Sequence, residues 1–192
     1  MEEIDLTRHG GVIYLFIGSM YAGKTTYLMK LMTTAKIMNM KVLVIRFKND
    51  LERNVQLQTH NGDTLKFDLT TVISDTDLSS NLLKQCEDYD IICIDEGQFF
   101  TNIDTFCDTL ANKGKKVIVS ALDGDFKRQP FGNIYKLIPM CEFVMKCHSV
   151  CSVCHKLASF TMRTTSDENI VIINDAIYKP VCRECYNKRG LN

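Results

Sequence analysis

Apolar residues in this chain cluster into short unbroken runs, and helically spaced apolar positions fall between some of them. Residues 12–17, VIYLFI, are continuous, β-branched and aromatic, which is the pattern of a strand buried on both faces. The run stops at Gly18. Tyr27, Leu28, Leu31, Ala35 and Met38 then recur at helical spacing between Lys24 and Asn39. The runs KVLVIRF (41–47), DIICID (90–95), KVIVSA (116–121) and CEFVMKC (141–147) read as four further strands. Residues 48–63 are polar and contain the turn signal Asn61-Gly62. Residues 101–112 read as a helix with Thr101 as its cap. Strands alternating with helices through residue 147 predict an α/β fold, a parallel sheet with helices on both faces. Beyond Cys147 the texture changes. Two CxxC pairs flank short β-like pieces such as IVII (170–173). The predicted division is a sheet domain over 1–147 and a small cysteine-bearing domain over 148–192.

Composition narrows the classes. The 192 residues are 45% apolar, enough for one domain with a real core and a small appendage. Lys plus Arg and Asp plus Glu are 23 each, a balance that argues against a nucleic-acid or anionic-membrane partner. No apolar run approaches 18 residues, so no membrane-spanning helix is expected. Three acids precede the first apolar run, which argues against a secretory leader, and the expected location is cytoplasmic. The nine cysteines are an odd count without such a leader, which argues against a disulfide framework.

The strongest motif is GSMYAGKT, residues 18–25, which matches G-x-x-x-x-G-K-[ST] in full. A buried strand precedes it and a helix follows. Gly18 and Gly23 let the backbone of Ser19, Met20, Tyr21 and Ala22 turn N–H groups inward as an anion nest. The start of the following helix, through Thr26, adds its positive end. Lys24 is expected on the β- and γ-phosphates of a nucleotide such as ATP, and Thr25 on Mg²⁺. The bland alternative is a chance Gly-rich turn, which the flanking elements disfavour. Asp95 ends the apolar run IICI, so it lies at the carboxyl end of a buried strand, where ligands of doubly wound sheets bind. It is the expected second Mg²⁺ partner. Glu96 beside it is a candidate general base for a hydroxyl nucleophile.

Cys151-x-x-Cys154 and Cys182-x-x-Cys185 are two knuckles separated by 27 residues. Together they offer four thiolates to one tetrahedral Zn²⁺ in a closed, structural site. The alternatives are two redox pairs or four core cysteines. A domain of this size also needs a staple, which a metal supplies. Cys86, Cys93, Cys107, Cys141 and Cys147 read as structural thiols.

GSMYAGKT, IDEGQFF (94–100), ALDGDFKRQPFGNI (121–134) and the paired CxxC units together resemble the type II thymidine kinases, nearest their animal and poxvirus branch. The resemblance runs from about Val12 to Tyr186. It implies transfer of the ATP γ-phosphate to the 5′-hydroxyl of thymidine, with Glu96 as base and Asp95 as the Mg²⁺ partner through water. It implies a base pocket from Met20, Phe99, Leu122, Phe126 and Phe131. It places Arg163 near the 5′ end of the nucleoside, as a fixed charge for the transferring group. It makes residues 164–181 a lasso over the base, with Ile172, Ile173, Asn174 and Tyr178 contributing. A homotetramer and feedback inhibition by dTTP are also implied. Two departures stand out. Ile173-Asn174 replaces a Gly-Gly pair of the animal enzymes, and Met162 replaces a lysine. Asp50, Arg53, Thr59 and His60 fall where the family has a flexible loop.

Two other functions share these motifs. A kinase of a different nucleoside would keep the same phosphate chemistry. A zinc-ribbon ATPase acting on nucleic acid would use the C-terminal basic residues Lys179, Arg183, Lys188 and Arg189. A catalytically dead partner-binding protein is disfavoured by intact Lys24, Thr25, Asp95 and Glu96.

Overall fold

A computed structural model describes residues 4–48, 70–167, 169, 170, 172 and 177–188. The expectations placed on Asp50, Arg53, Thr59, His60, Ile173, Asn174 and Arg189 lie outside these residues. The chain begins with β1 (Val12–Gly18), α1 (Lys24–Ile37) and β2 (Val42–Phe47). β3 (Thr70–Ser74), α2 (Ser80–Cys86), β4 (Ile91–Ile94), α3 (Ile103–Asn112) and β5 (Lys116–Ala121) follow, then a short α4 (Ile134–Leu137) and β6 (Phe143–Cys147). Six strands form one parallel sheet in the order β3-β2-β4-β5-β1-β6.

Period-two alternation splits each central strand between two cores. Ile13, Leu15, Leu43, Ile45, Ile92, Ile94, Val117 and Val119 face α2 and α3, with Phe106 and Leu110 packed on them. Val12, Tyr14, Phe16, Val42, Val44, Ile91, Cys93 and Ile118 face α1, with Leu28, Met32 and Ala35 on them. These strands read as unbroken apolar runs because each is covered on both faces.

Locally the elements differ from those the sequence predicts. β3, α2 and the four-residue α4 have no counterpart among the predicted elements. β3 is five residues long, and α2 is a seven-residue helix whose period barely registers. Ser79 marks its start, its side chain accepting from Leu82 N–H. Thr101 does not cap α3, which starts at Ile103 after Asn102. The Thr101 N–H and hydroxyl both donate to the Thr76 carbonyl, at 2.7 and 3.1 Å. Ile170 and Ile172 of the expected β-like IVII piece lie outside any strand.

After β6 the chain makes two antiparallel pairs. β7 (Ser149–Val150) pairs with β8 (Leu157–Ala158), and β9 (Phe160–Arg163) pairs with β10 (Tyr178–Val181). α5 (Arg183–Lys188) closes the described chain. A small third core of Ala158, Val181 and the cysteines holds these pieces together, with Phe160 and Tyr186 packed on it.

Candidate phosphate-transfer site

The phosphate loop leaves β1 between its neighbours β5 and β6. Gly18 is opposite Cys147 of β6, with φ 149°, and a Cβ there would sit 2.3 Å from the Cys147 carbonyl oxygen. Only glycine fits. Tyr21 and Gly23 both take left-handed backbone angles, φ 61° and 77°. Such alternation turns N–H groups to one side, as an anion nest requires. α1 starts immediately afterwards at Lys24.

Lys24 is buried, and its ammonium donates to the Ser19 carbonyl at 2.8 Å. Burial lowers its proton affinity, while Glu96 and then Asp95 act the other way. Ser19 Oγ is buried without a hydrogen-bond partner among the described residues. Ala22 is buried, Thr25 half-buried, and Tyr21 and Thr26 are exposed.

Asp95 follows β4, and β5 lies between β4 and β1, so Asp95 and the loop flank the end of one strand. Ser120 at the end of β5 donates its hydroxyl to Asp95 Oδ1. Thr25 Oγ1 donates to the same oxygen at 3.4 Å. The two residues expected on Mg²⁺ are therefore side by side. A hydroxyl and a carboxylate are hard oxygen donors, the set this ion takes.

Glu96 has φ 55° and ψ 43°. Its carboxylate accepts from Gln98 Nε2, and Gln98 Oε1 accepts from Leu122 N–H at 2.8 Å. Sequence reading passed over Gln98 and Ser120, because a glutamine in a loop and a serine in a strand carry no signal of their own.

The expected base wall is brought together in part. Phe99 stacks on Phe47 at 4.6 Å between ring centres and meets Phe131 edge-on at 5.7 Å. Leu122 lies one hydrogen bond away, on Gln98. Met20 N–H donates to Thr161 Oγ1 of β9 at 3.0 Å, which ties the phosphate loop to the later part of the chain. Phe126 lies beneath the Arg163 guanidinium, 3.7 Å from its centroid.

Arg163 is fully buried. Nη1 donates to the carbonyls of Asp167, at 2.9 Å, and Asn169. Nη2 donates to the Ile170 carbonyl at 2.9 Å and to the Tyr178 hydroxyl at 2.6 Å. All four Nη hydrogens thus bind the loop expected to be the lasso. Nε alone has no partner among the described residues. Ile172 is half-buried in that loop.

The Sγ atoms of Cys151, Cys154, Cys182 and Cys185 all lie within 4.8 Å of one another. Four sulfurs about 2.3 Å from one ion are separated by rather less than that, so the cluster fits tetrahedral zinc. Burial opposes ionisation of Cys151, but backbone N–H groups around Cys182, Cys154 and Val153 outweigh it and bring the thiol down to about 6. Cys185, beside Cys154, is pushed up to about 12. Crowded thiolates of this kind resist joint ionisation until a cation neutralises them. The other five cysteines differ. Burial raises all of them, Cys86 to about 11 and Cys141 to about 12. They are inert thiols.

Of the C-terminal basic residues, Lys179, Arg183 and Lys188 are described, and all three are exposed. Arg183 lies over the Phe160 ring at 4.9 Å, and Lys188 pairs with Glu184 at 2.8 Å. Among the described residues no helix is long and apolar enough to cross a membrane.

The family model for thymidine kinase matches residues 11–186. The thymidine kinase of myxoma virus (strain Lausanne) is 42% identical over 182 residues, covering 94% of this chain and 99% of its own. The thymidine kinases of vaccinia virus (strain Ankara) and monkeypox virus are each 42% identical over 180 residues, covering 93% of this chain and 98% of theirs. Among solved structures, domain III of the Thermotoga maritima replication initiation protein DnaA has a TM-score of 0.44 at 18% identity, over 71% of this chain and 55% of its own, too distant to carry an argument. A sheet that gathers a phosphate loop, an Asp-Glu pair and an aromatic wall at one end, matched over this length, settles the family: the chain belongs to the thymidine kinases.

Proposed function

We propose that the protein transfers the γ-phosphoryl group of ATP to the 5′-hydroxyl of thymidine, giving dTMP and ADP. One observation carries the reading: Lys24, Thr25, Asp95 and Glu96 converge at one sheet end in a chain of the thymidine kinase family. The Glu96 carboxylate accepts the hydroxyl proton as the 5′-oxygen bonds to the γ-phosphorus. The bond from that phosphorus to the β,γ-bridging oxygen breaks, and the electron pair leaves on ADP. Gly18 to Thr26 cradle the phosphates through backbone N–H groups and Lys24, and the buried Ser19 hydroxyl adds a donor. Thr25 and Asp95 would hold Mg²⁺, and the ion would supply positive charge to the phosphate oxygens. Arg163 orders the lasso through its Nη groups and keeps Nε–H for the substrate side, a use that explains a buried donor with no partner. Phe99, Phe126, Phe131, Leu122 and Met20 wall the base, and Ile172 and Tyr178 border it from the loop.

The division into a nucleotide-binding part over 1–147 and a zinc-and-lasso part over 148–192 belongs to the same reading. So do a cytoplasmic homotetramer and inhibition by dTTP, which rest on family membership alone. A kinase assay across nucleosides tests the substrate. Thymidine is the expected best acceptor, and preference for deoxycytidine or a purine nucleoside rejects it. Repeating the assay with dTTP, and sizing by light scattering, tests the regulation and the tetramer.

A further inference from the structure

We infer that Gln98 is a positioning residue that aims the Glu96 carboxylate. The inference rests on Glu96 being the base. Glu96 sits in left-handed backbone geometry, φ 55°, which costs an L-residue of order 1 kcal/mol or more unless its surroundings hold it there. The surroundings do hold it. A Cβ on Gly97 would lie 2.8 Å from Val119 Cγ1, so the turn is pressed onto β5. A Cβ on Gly132 would lie 2.1 Å from the Gln98 carbonyl oxygen, so the next loop covers it from the other side. Gln98 itself is only 3% exposed.

The direction of its carboxamide follows from its neighbours. Leu122 N–H can only donate, so Gln98 must turn Oε1 toward it, and that bond is 2.8 Å. Nε2 is then left facing Glu96 and donates to Oε2. A flipped amide would lose both bonds. One Glu96 oxygen is thereby engaged and fixed, which leaves Oε1 to take the proton from the nucleophile. The same amide ties the base to the backbone of Leu122, on the expected base wall, so base and substrate wall share one register. Misplacing a reacting group by an ångström costs on the order of 10²-fold in rate.

The test compares the full chain with Gln98→Glu, Gln98→Met, Glu96→Gln and the Gln98→Met/Glu96→Gln double variant, measuring kcat, both KM values and melting temperature. Gln98→Glu is the telling change. Its carboxylate keeps the size and still accepts from Leu122 N–H, but it replaces the donor facing Glu96 with an acceptor. The expected result is a kcat at least about tenfold lower, with KM for ATP and thymidine within about threefold. A Gln98→Glu kcat within about twofold of the parent overturns the inference. Gln98→Met should slow the parent yet add nothing in the Glu96→Gln background, because the two act as a unit. Independent, multiplicative losses overturn it. Glu96→Gln at parental kcat removes the base assignment together with this inference. A slow Glu96→Gln beside a normal Gln98→Glu removes the present inference alone.

Discussion

At the scale of single residues, the site depends on charges placed where water is scarce. Lys24 is the clearest case. Burial lowers its proton affinity below the ordinary value of 10.5, and Glu96 and Asp95 only partly oppose this. Phosphate binding needs the protonated form. ATP affinity therefore declines as pH rises through the lowered pKa, before an exposed lysine would lose its charge. Titrating ATP binding from neutral pH to above 10 checks this, with Lys24→Met as the control that lacks the decline. The same profile in both proteins would assign the dependence elsewhere. Sequence carried this residue plainly, because GxxxxGK[ST] encodes its own geometry. Arg163 was harder. Only the family resemblance sets it near phosphate, and its Nη groups bind carbonyls at Asp167, Asn169 and Ile170. Those partners are irregular backbone, for which a sequence has no marker. Gln98 and Ser120 were silent for the same reason, since each acquires its role from a neighbour 24 or 25 residues away.

Among the elements, those buried on both sides were legible, and those depending on side-chain brackets were not. β1, β2, β4 and β5 announce themselves as apolar runs because sheet burial demands it. α2 and the start of α3 depend instead on Asn102. Its side-chain oxygen accepts from Leu78 N–H and its amide donates to the Leu78 carbonyl, both at 2.9 Å. That pair does the work of a short strand partner and fixes α2 against α3. Replacing Asn102 by Ala leaves both Leu78 groups without the bracket, and we expect a loss of about 1–3 kcal/mol in unfolding free energy by urea titration. Asn102→Ser is a test of mechanism. A simple helix cap would tolerate it, while the bracket needs the reach of the amide and should be lost.

For the whole molecule, the zinc-type cysteine cluster is connected to the proposed phosphate-transfer end through identifiable contacts. Tyr186 adjoins Cys185, and its hydroxyl donates to the Phe126 carbonyl at 2.7 Å. Arg128 lies 4.3 Å over the Tyr186 ring. Phe126 in turn carries Arg163 on its face. Zinc removal should therefore do more than loosen a small core. We expect about one zinc per chain by metal analysis. Chelation should lower the melting temperature and raise KM for thymidine more than KM for ATP. Equal effects on both substrates would mean that the metal supports only general stability.

The hydrogen bond from Met20 N–H to Thr161 spans 141 residues of chain. β6, against which Gly18 is packed, comes from residues 143–147. During synthesis the phosphate loop thus leaves the ribosome 141 residues ahead of its threonine acceptor. Until residue 147 has emerged the loop lacks its close-packed strand edge, and until residue 161 its threonine acceptor. The nascent chain carries a nucleotide-binding motif that matures only once β9 has been made.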